Sequence, residues 1–189
     1  MILKRFDRSV KDGLRIFGAV ILCTATFSSA VAQAQTCAPP KNSDWSAWLD
    51  AQENAGGHAE ACHVNVAVNG LIGRLEGRGG AKGATCASGG AAASSWSDVS
   101  SLLNAIKPTI NQSSATYASS PAGNHVITGT AGQTIGTTVT AYTDNKDFSK
   151  NRSPCPGNNG YVCSTTKNWT AVVQSDGNGG CFLLTAYPN

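Results

Sequence analysis

Apolar positions change their period once along the chain, near residue 108. Before that point they recur every three or four residues. Trp45, Trp48 and Leu49 follow the capping residues Asn42, Ser43 and Asp44 and are closed by Gly56 and Gly57, which predicts a helix over 45–54. Val64, Val68, Leu71 and Leu75 are spaced by four, three and four around Asn65, a good N-cap. That spacing predicts a helix from 66 to about 77, preceded by a short turn over 58–62. Trp96, Val99, Leu102, Leu103 and Ile106 predict a third helix over 96–106, capped by Ser94 or Ser95 and stopped by Pro108.

Beyond Pro108, β-branched residues gather in short runs between Gly, Asn and Ser clusters, predicting strands over 125–130, 137–143, 169–174 and 181–187. The sequence from Asp176 to Gly180 is a hairpin turn between the last two. Residues 144–161, with Pro154, Pro156 and Asn158-Asn159-Gly160, read as a long loop, and 79–93, rich in Gly and Ala, as a flexible one. Helices first and antiparallel strands after make the expected class α+β.

The N-terminal 34 residues alter the charge picture. Lys4, Arg5, Arg8, Lys11 and Arg15 precede an apolar run over 17–23, and Ala32-Gln33-Ala34 is an A-x-A cleavage site, so residues 1–34 read as a signal peptide. The expectation is export, to the periplasm or out of the cell, with no stable membrane insertion once the signal is removed. Residues 35–189 then form one domain. Five of the fourteen Lys and Arg and two of the eleven Asp and Glu leave with the signal. The remainder balances, so the domain has no global basic field and any phosphate binding must be local.

Six cysteines remain: Cys37, Cys62, Cys86, Cys155, Cys163 and Cys181. In an exported chain an even count points to disulfides, with the pairing left open. The only nearby metal-ligand grouping, His58, Cys62 and His63, lacks further ligands, and no metal or other cofactor is expected.

Candidate chemistry centres on His63 and Arg74. In one unbroken helix they would share a face but lie roughly 16 Å apart. A break at Asn65 instead leaves His63 outside the helix, free to approach Arg74. A titratable imidazole beside a permanent cation suits chemistry on a phosphate. At the C-terminus, strict alternation puts Cys181, Leu183, Thr185 and Tyr187 on one strand face and the core-like Phe182, Leu184 and Ala186 on the other. Thr185 and Tyr187 thus aim two hydroxyls the same way. The bland readings are a capping histidine, a helix-terminal arginine and ordinary strand residues.

The motif GGHxxxxHV, then L-x-x-R-L, then A-S-S-W-x-D and a terminal F-L-L-T-A-Y-P resembles the bacterial RNase A-like toxin domain. That domain is the C-terminal effector of contact-dependent growth inhibition proteins. The resemblance spans residues 56–189 in order and is most specific at its two ends. It implies an RNase A-like fold and an active site of His63, Arg74, Thr185 and Tyr187, with His58 on the first His of the motif in a substrate-binding or structural role. His125 falls outside the motif.

The implied reaction is metal-free RNA cleavage by 2′-OH attack, leaving a 2′,3′-cyclic phosphate. A near-neutral base such as His63 would move the proton, Arg74 would hold phosphate charge, and Thr185 and Tyr187 would position the phosphate. Two departures stand out, the chain's own signal and its cysteines. The expected protein is an exported monomeric endoribonuclease, an antibacterial toxin with a cognate immunity protein or a scavenging nuclease. The alternatives are a non-catalytic RNA- or phosphate-binding module on the same scaffold and a disulfide-rich structural protein of the envelope.

Overall fold

A computed structural model describes residues 44–78, 86, 89–142 and 152–189. The signal segment and Cys37 lie outside the described residues. Helix α1 (Trp45–Asn54) forms where expected: Asp44 accepts the backbone N–H of Ser46 at 2.9 Å, and Trp48, Leu49 and Gln52 face inward. Two short helices follow, α2 (Ala59–His63) and α3 (Val68–Leu75). Then come β1 (Ala92–Trp96), the long helix α4 (Val99–Ala118) and six strands: β2 (Gly123–Thr130), β3 (Gly136–Ala141), β4 (Arg152–Cys155), β5 (Asn158–Thr166), β6 (Asn168–Ser175) and β7 (Cys181–Pro188).

The class is α+β, with the helices ahead of every antiparallel strand except β1. The strands form two sheets, one of order β1-β3-β5-β4 and one of order β2-β6-β7, with every strand pair antiparallel.

The larger core lies between the three-stranded sheet and helices α1 and α4. It includes Leu49, Leu102, Ile106, Ile110, Ile127, Trp169, Val173 and Leu183. A smaller core joins α3 to the four-stranded sheet through Val66, Leu71, Ile72, Ala93 and Val139. The linker between α2 and α3 crosses from one to the other: Val64 is buried in the larger core and Val66 in the smaller. This crossing is the physical reason the helical stripe breaks after His63.

Several expectations are corrected. Asn65 does not cap α3; it adopts φ 53°, a left-handed conformation that Asn tolerates, and Ala67 is the N-cap. Ser94, Ser95 and Trp96 do not open a helix but end β1, where both serines are buried and Val64 bridges to Trp96. The cap of α4 is instead Asp98, whose side chain accepts the Ser101 N–H. Pro108 does not stop α4, because Leu102, Ile106 and Ile110 bury one continuous stripe across it. That burial offsets the one backbone bond proline cannot make. Finally, the supposed loop over 144–161 contains β4 and the start of β5, pinned by the Cys155–Cys163 disulfide, whose Cα atoms are 4.9 Å apart.

Candidate active site

Strand β7 departs from strict alternation. Val172 pairs with Thr185 but Val173 pairs with Leu183, so Leu184 is an extra residue, a β-bulge. Before the bulge Cys181 and Leu183 face the larger core; after it Ala186 does. Thr185 and Tyr187 therefore lie on the face opposite Cys181 and Leu183, not with them, and Phe182 and Leu184 are only half-buried. The expected face assignment fails for this reason. The three apolar residues Phe182, Leu183 and Leu184 in succession were the available signal, since a period-two strand does not need such a run.

The bulge is held from α1 and the turn after it. The Leu183 N–H donates to the Gln52 side-chain oxygen at 2.9 Å, and the His58 N–H donates to Leu184 O at 2.9 Å. Gly57 lies between these bonds, where an added Cβ would stand 2.5 Å from Leu183 O, so only glycine fits. The Glu53 carboxylate accepts the N–H groups of Glu60 and Ala61, capping α2 in place of a local residue. Helix α2 is thus tied to β7 through the His58 N–H and to α1 through Glu53, and it carries His63 at its last position.

His63 is 8% exposed, and its ring centroid lies 5.5 Å from that of Tyr187 and 6.4 Å from that of His58. Its Nδ1 is 3.3 Å from Ser94 O. A carbonyl only accepts, so Nδ1 carries the proton and Nε2 of the neutral ring keeps its lone pair. Burial lowers the His63 pKa to about 4, and the nearby Arg74 charge pushes it the same way. At pH 7 the ring is neutral. Burial also lowers the His58 pKa, with Glu53 opposing and Arg74 adding to the shift.

Arg74, in the last turn of α3, donates from Nη1 to Cys62 O at 2.8 Å and is 8% exposed. Its pKa is lowered by desolvation. Cys62 is bonded to Cys86, so it is not available as a metal thiolate and instead braces the residue beside His63. Cys181 is also disulfide-bonded. The Thr185 hydroxyl oxygen is one of two buried side-chain polar atoms among the described residues without a hydrogen-bond partner, the other being Trp48 Nε1.

No protein-family model matches the chain, and no curated protein matches it by sequence. A solved structure titled as the CdiA-CT/CdiI complex from Y. kristensenii 33638 is similar, at 20% identity and a TM-score of 0.45. The match covers 67% of this chain and 94% of that one.

His63, Arg74 and Tyr187 come from α2, α3 and β7 and are brought together, with Tyr187 against the His63 ring and Arg74 near enough to act on its charge, while Thr185 is buried on β7 two residues before Tyr187. His58 lies beside His63 and binds β7 through its backbone. His125 is elsewhere, against Tyr117 at a ring distance of 5.5 Å. Two roles are not assigned by the sequence reading, although it includes A-S-S-W among its motifs. Ser94 acts through its carbonyl, which no side-chain pattern reveals. The A-S-S-W motif as a whole is the strand end that orients His63, accepts the Val66 N–H on the Ser95 hydroxyl at 2.8 Å, and donates from Trp96 Nε1 to Ala186 O at 2.9 Å.

Proposed function

We propose that the protein is an exported endoribonuclease of RNase A-like type that cleaves RNA without a metal cofactor, by attack of the ribose 2′-OH on the adjacent phosphorus. The observation that carries the reading is the neutral, buried His63, with Nδ1 bonded to Ser94 O, set beside Arg74 and Tyr187. Nε2 takes the 2′-OH proton as the new O–P bond forms, and the bond to the 5′-oxygen breaks. Arg74 stabilises charge on the non-bridging oxygens. The partnerless Thr185 hydroxyl and the Tyr187 hydroxyl hold the phosphate, and the leaving oxygen takes its proton from Tyr187 or water. A 2′,3′-cyclic phosphate remains.

A depressed pKa makes His63 a weaker base than a free imidazole but keeps it fully in the base form at neutral pH. The role we attach to the activity is that of an antibacterial toxin acting on RNA as a monomer, matched by an immunity protein in the producing cell. The motifs shared with toxin domains support that role.

The test is incubation of the oxidised protein with total RNA in EDTA beside His63→Ala, read on a denaturing gel. Wild type is expected to cleave, and His63→Ala to be slower by about 10²–10⁴-fold. Two folded but inactive proteins would defeat the nuclease reading and favour a binding module on the same scaffold.

A further inference from the structure

Gln52 is the one polar side chain of α1 that is fully inside the protein, at 2% exposure, and nothing in the reaction above uses it. A buried amide is costly unless it is hydrogen-bonded, so its partner identifies its role. That partner is the Leu183 N–H, the group immediately before the extra residue of the β7 bulge. In a regular antiparallel pair, alternation from the core-facing Leu183 would turn Thr185 into the core as well. The bulge reverses the face for the residues after it, so Thr185 and Tyr187 turn away from the Leu183 side, and the Tyr187 ring lies against His63.

We propose that Gln52 is a positioning residue: by accepting the Leu183 N–H it locks the β7 bulge that turns the Thr185 and Tyr187 hydroxyls toward the site. The lock has two bonds, because His58 N–H to Leu184 O closes the other side of the extra residue, and Gly57 gives the room that close approach needs. The same helix supplies the Glu53 carboxylate that caps α2. Consecutive residues of α1 therefore set the two halves of the site: Gln52 the hydroxyls of β7, and Glu53 the helix that bears His63. The proposal rests on the nuclease reading only for its kinetic test.

The variant is Gln52→Met, which keeps the volume and removes the acceptor. Loss of alignment by about 1 Å costs on the order of 10²-fold in rate, so kcat should fall by roughly 10- to 100-fold with a smaller change in KM. Gln52→Glu, which keeps an acceptor oxygen, should recover most of that loss. On a Thr185→Val background the further effect of Gln52→Met should shrink, because the two act through one another. Equal losses on both backgrounds would assign Gln52 to general stability and overturn the proposal.

A readout independent of turnover completes the test. In NMR spectra of the folded variant, the cross-relaxation between the His63 and Tyr187 rings should weaken and the Thr185 and Tyr187 amide shifts should move. If wild type fails to cleave RNA, the nuclease reading falls while these shifts still decide the positioning role. Unchanged ring contacts in Gln52→Met would overturn it.

Discussion

Thr185 and Tyr187 belong to β7, in the three-stranded sheet, and the Tyr187 ring lies against His63. The four-stranded sheet contributes through β1, and mostly through groups that every residue possesses: Ser94 O orients His63 and Trp96 O accepts the Asn65 N–H at 3.2 Å. Trp96 Nε1 and Ala186 O then tie the two sheets together between the two hydroxyl-bearing residues. The contrast shows two ways of building a site. A side-chain contribution depends on which face of a strand it occupies, whereas a backbone contribution depends on the strand being held at the right depth. The first is sensitive to bulges and the second to whatever anchors the surrounding chain.

The sharpest way to break this comparison is to remove one disulfide from each side. Cys62–Cys86 closes a separation of 24 residues beside His63, and Cys155–Cys163 one of 8 residues between β4 and β5. From loop closure alone, the double Cys→Ala variants should lose roughly 3–4 and roughly 2–3 kcal/mol respectively. RNA cleavage should separate them far more. Losing Cys62–Cys86 loosens the residue that precedes His63 and accepts the Arg74 bond, so kcat/KM should fall by about 10-fold or more. Losing Cys155–Cys163 should leave it within about twofold. Denaturant titration and RNA cleavage on both variants test this, and equal activity losses would contradict a site anchored by Cys62.

The next effect concerns the imidazole that β1 orients. A folded-state pKa of about 4 against an unfolded value of about 6.5 means that the unfolded chain binds more protons between those two values. Stability is therefore complete above the unfolded pKa and declines as pH falls through this window. The total loss from His63 is on the order of 3 kcal/mol, and the lowered pKa of His58 adds to it in the same direction. Urea titrations at pH 4 and 7 should show the decline in wild type and a smaller one in His63→Asn. The acid limb of kcat/KM should likewise lie well below 6.5, and Arg74→Gln should move it upward by removing a nearby positive charge. A wild-type limb near 6.5 would mean that His63 is not buried as described.

How far the sequence revealed this arrangement depends on the kind of group involved. Helix α1 was legible to the residue, since the cap, the stripe and the closing glycines agree with one another. His63, Arg74, Thr185 and Tyr187 could be named because their side chains stand within recognisable motifs. The A-S-S-W segment was misread as a helix start because Ser is both a good cap and a small residue that fits a buried strand. Which of these applies is decided by pairing with β3, more than forty residues away. The face of β7 was misjudged because the residues that hold its bulge, Gln52 and His58, are over a hundred positions distant. Pro108 was misread because local propensity yielded to the buried stripe of α4.

The smallest expected effect on stability is the most telling about the hydroxyl side of the comparison. The Thr185 oxygen is buried without a partner, and such a group costs stability relative to an apolar atom of the same shape. Thr185→Val keeps the branched shape and removes that cost, so the folded protein should be unchanged or more stable by about 1 kcal/mol. A hydroxyl kept for the fold would give the opposite sign. At the same time cleavage should fall by roughly 10- to 100-fold, as expected when a donor aimed at a reacting phosphate is lost. Thermal unfolding and RNA cleavage measured on the one variant thus separate the two roles. Stability retained with activity lost means that β7 accepts an unsatisfied group because the phosphate is its partner; loss of stability would instead reveal a structural bond to Thr185 and leave the site without its second hydroxyl.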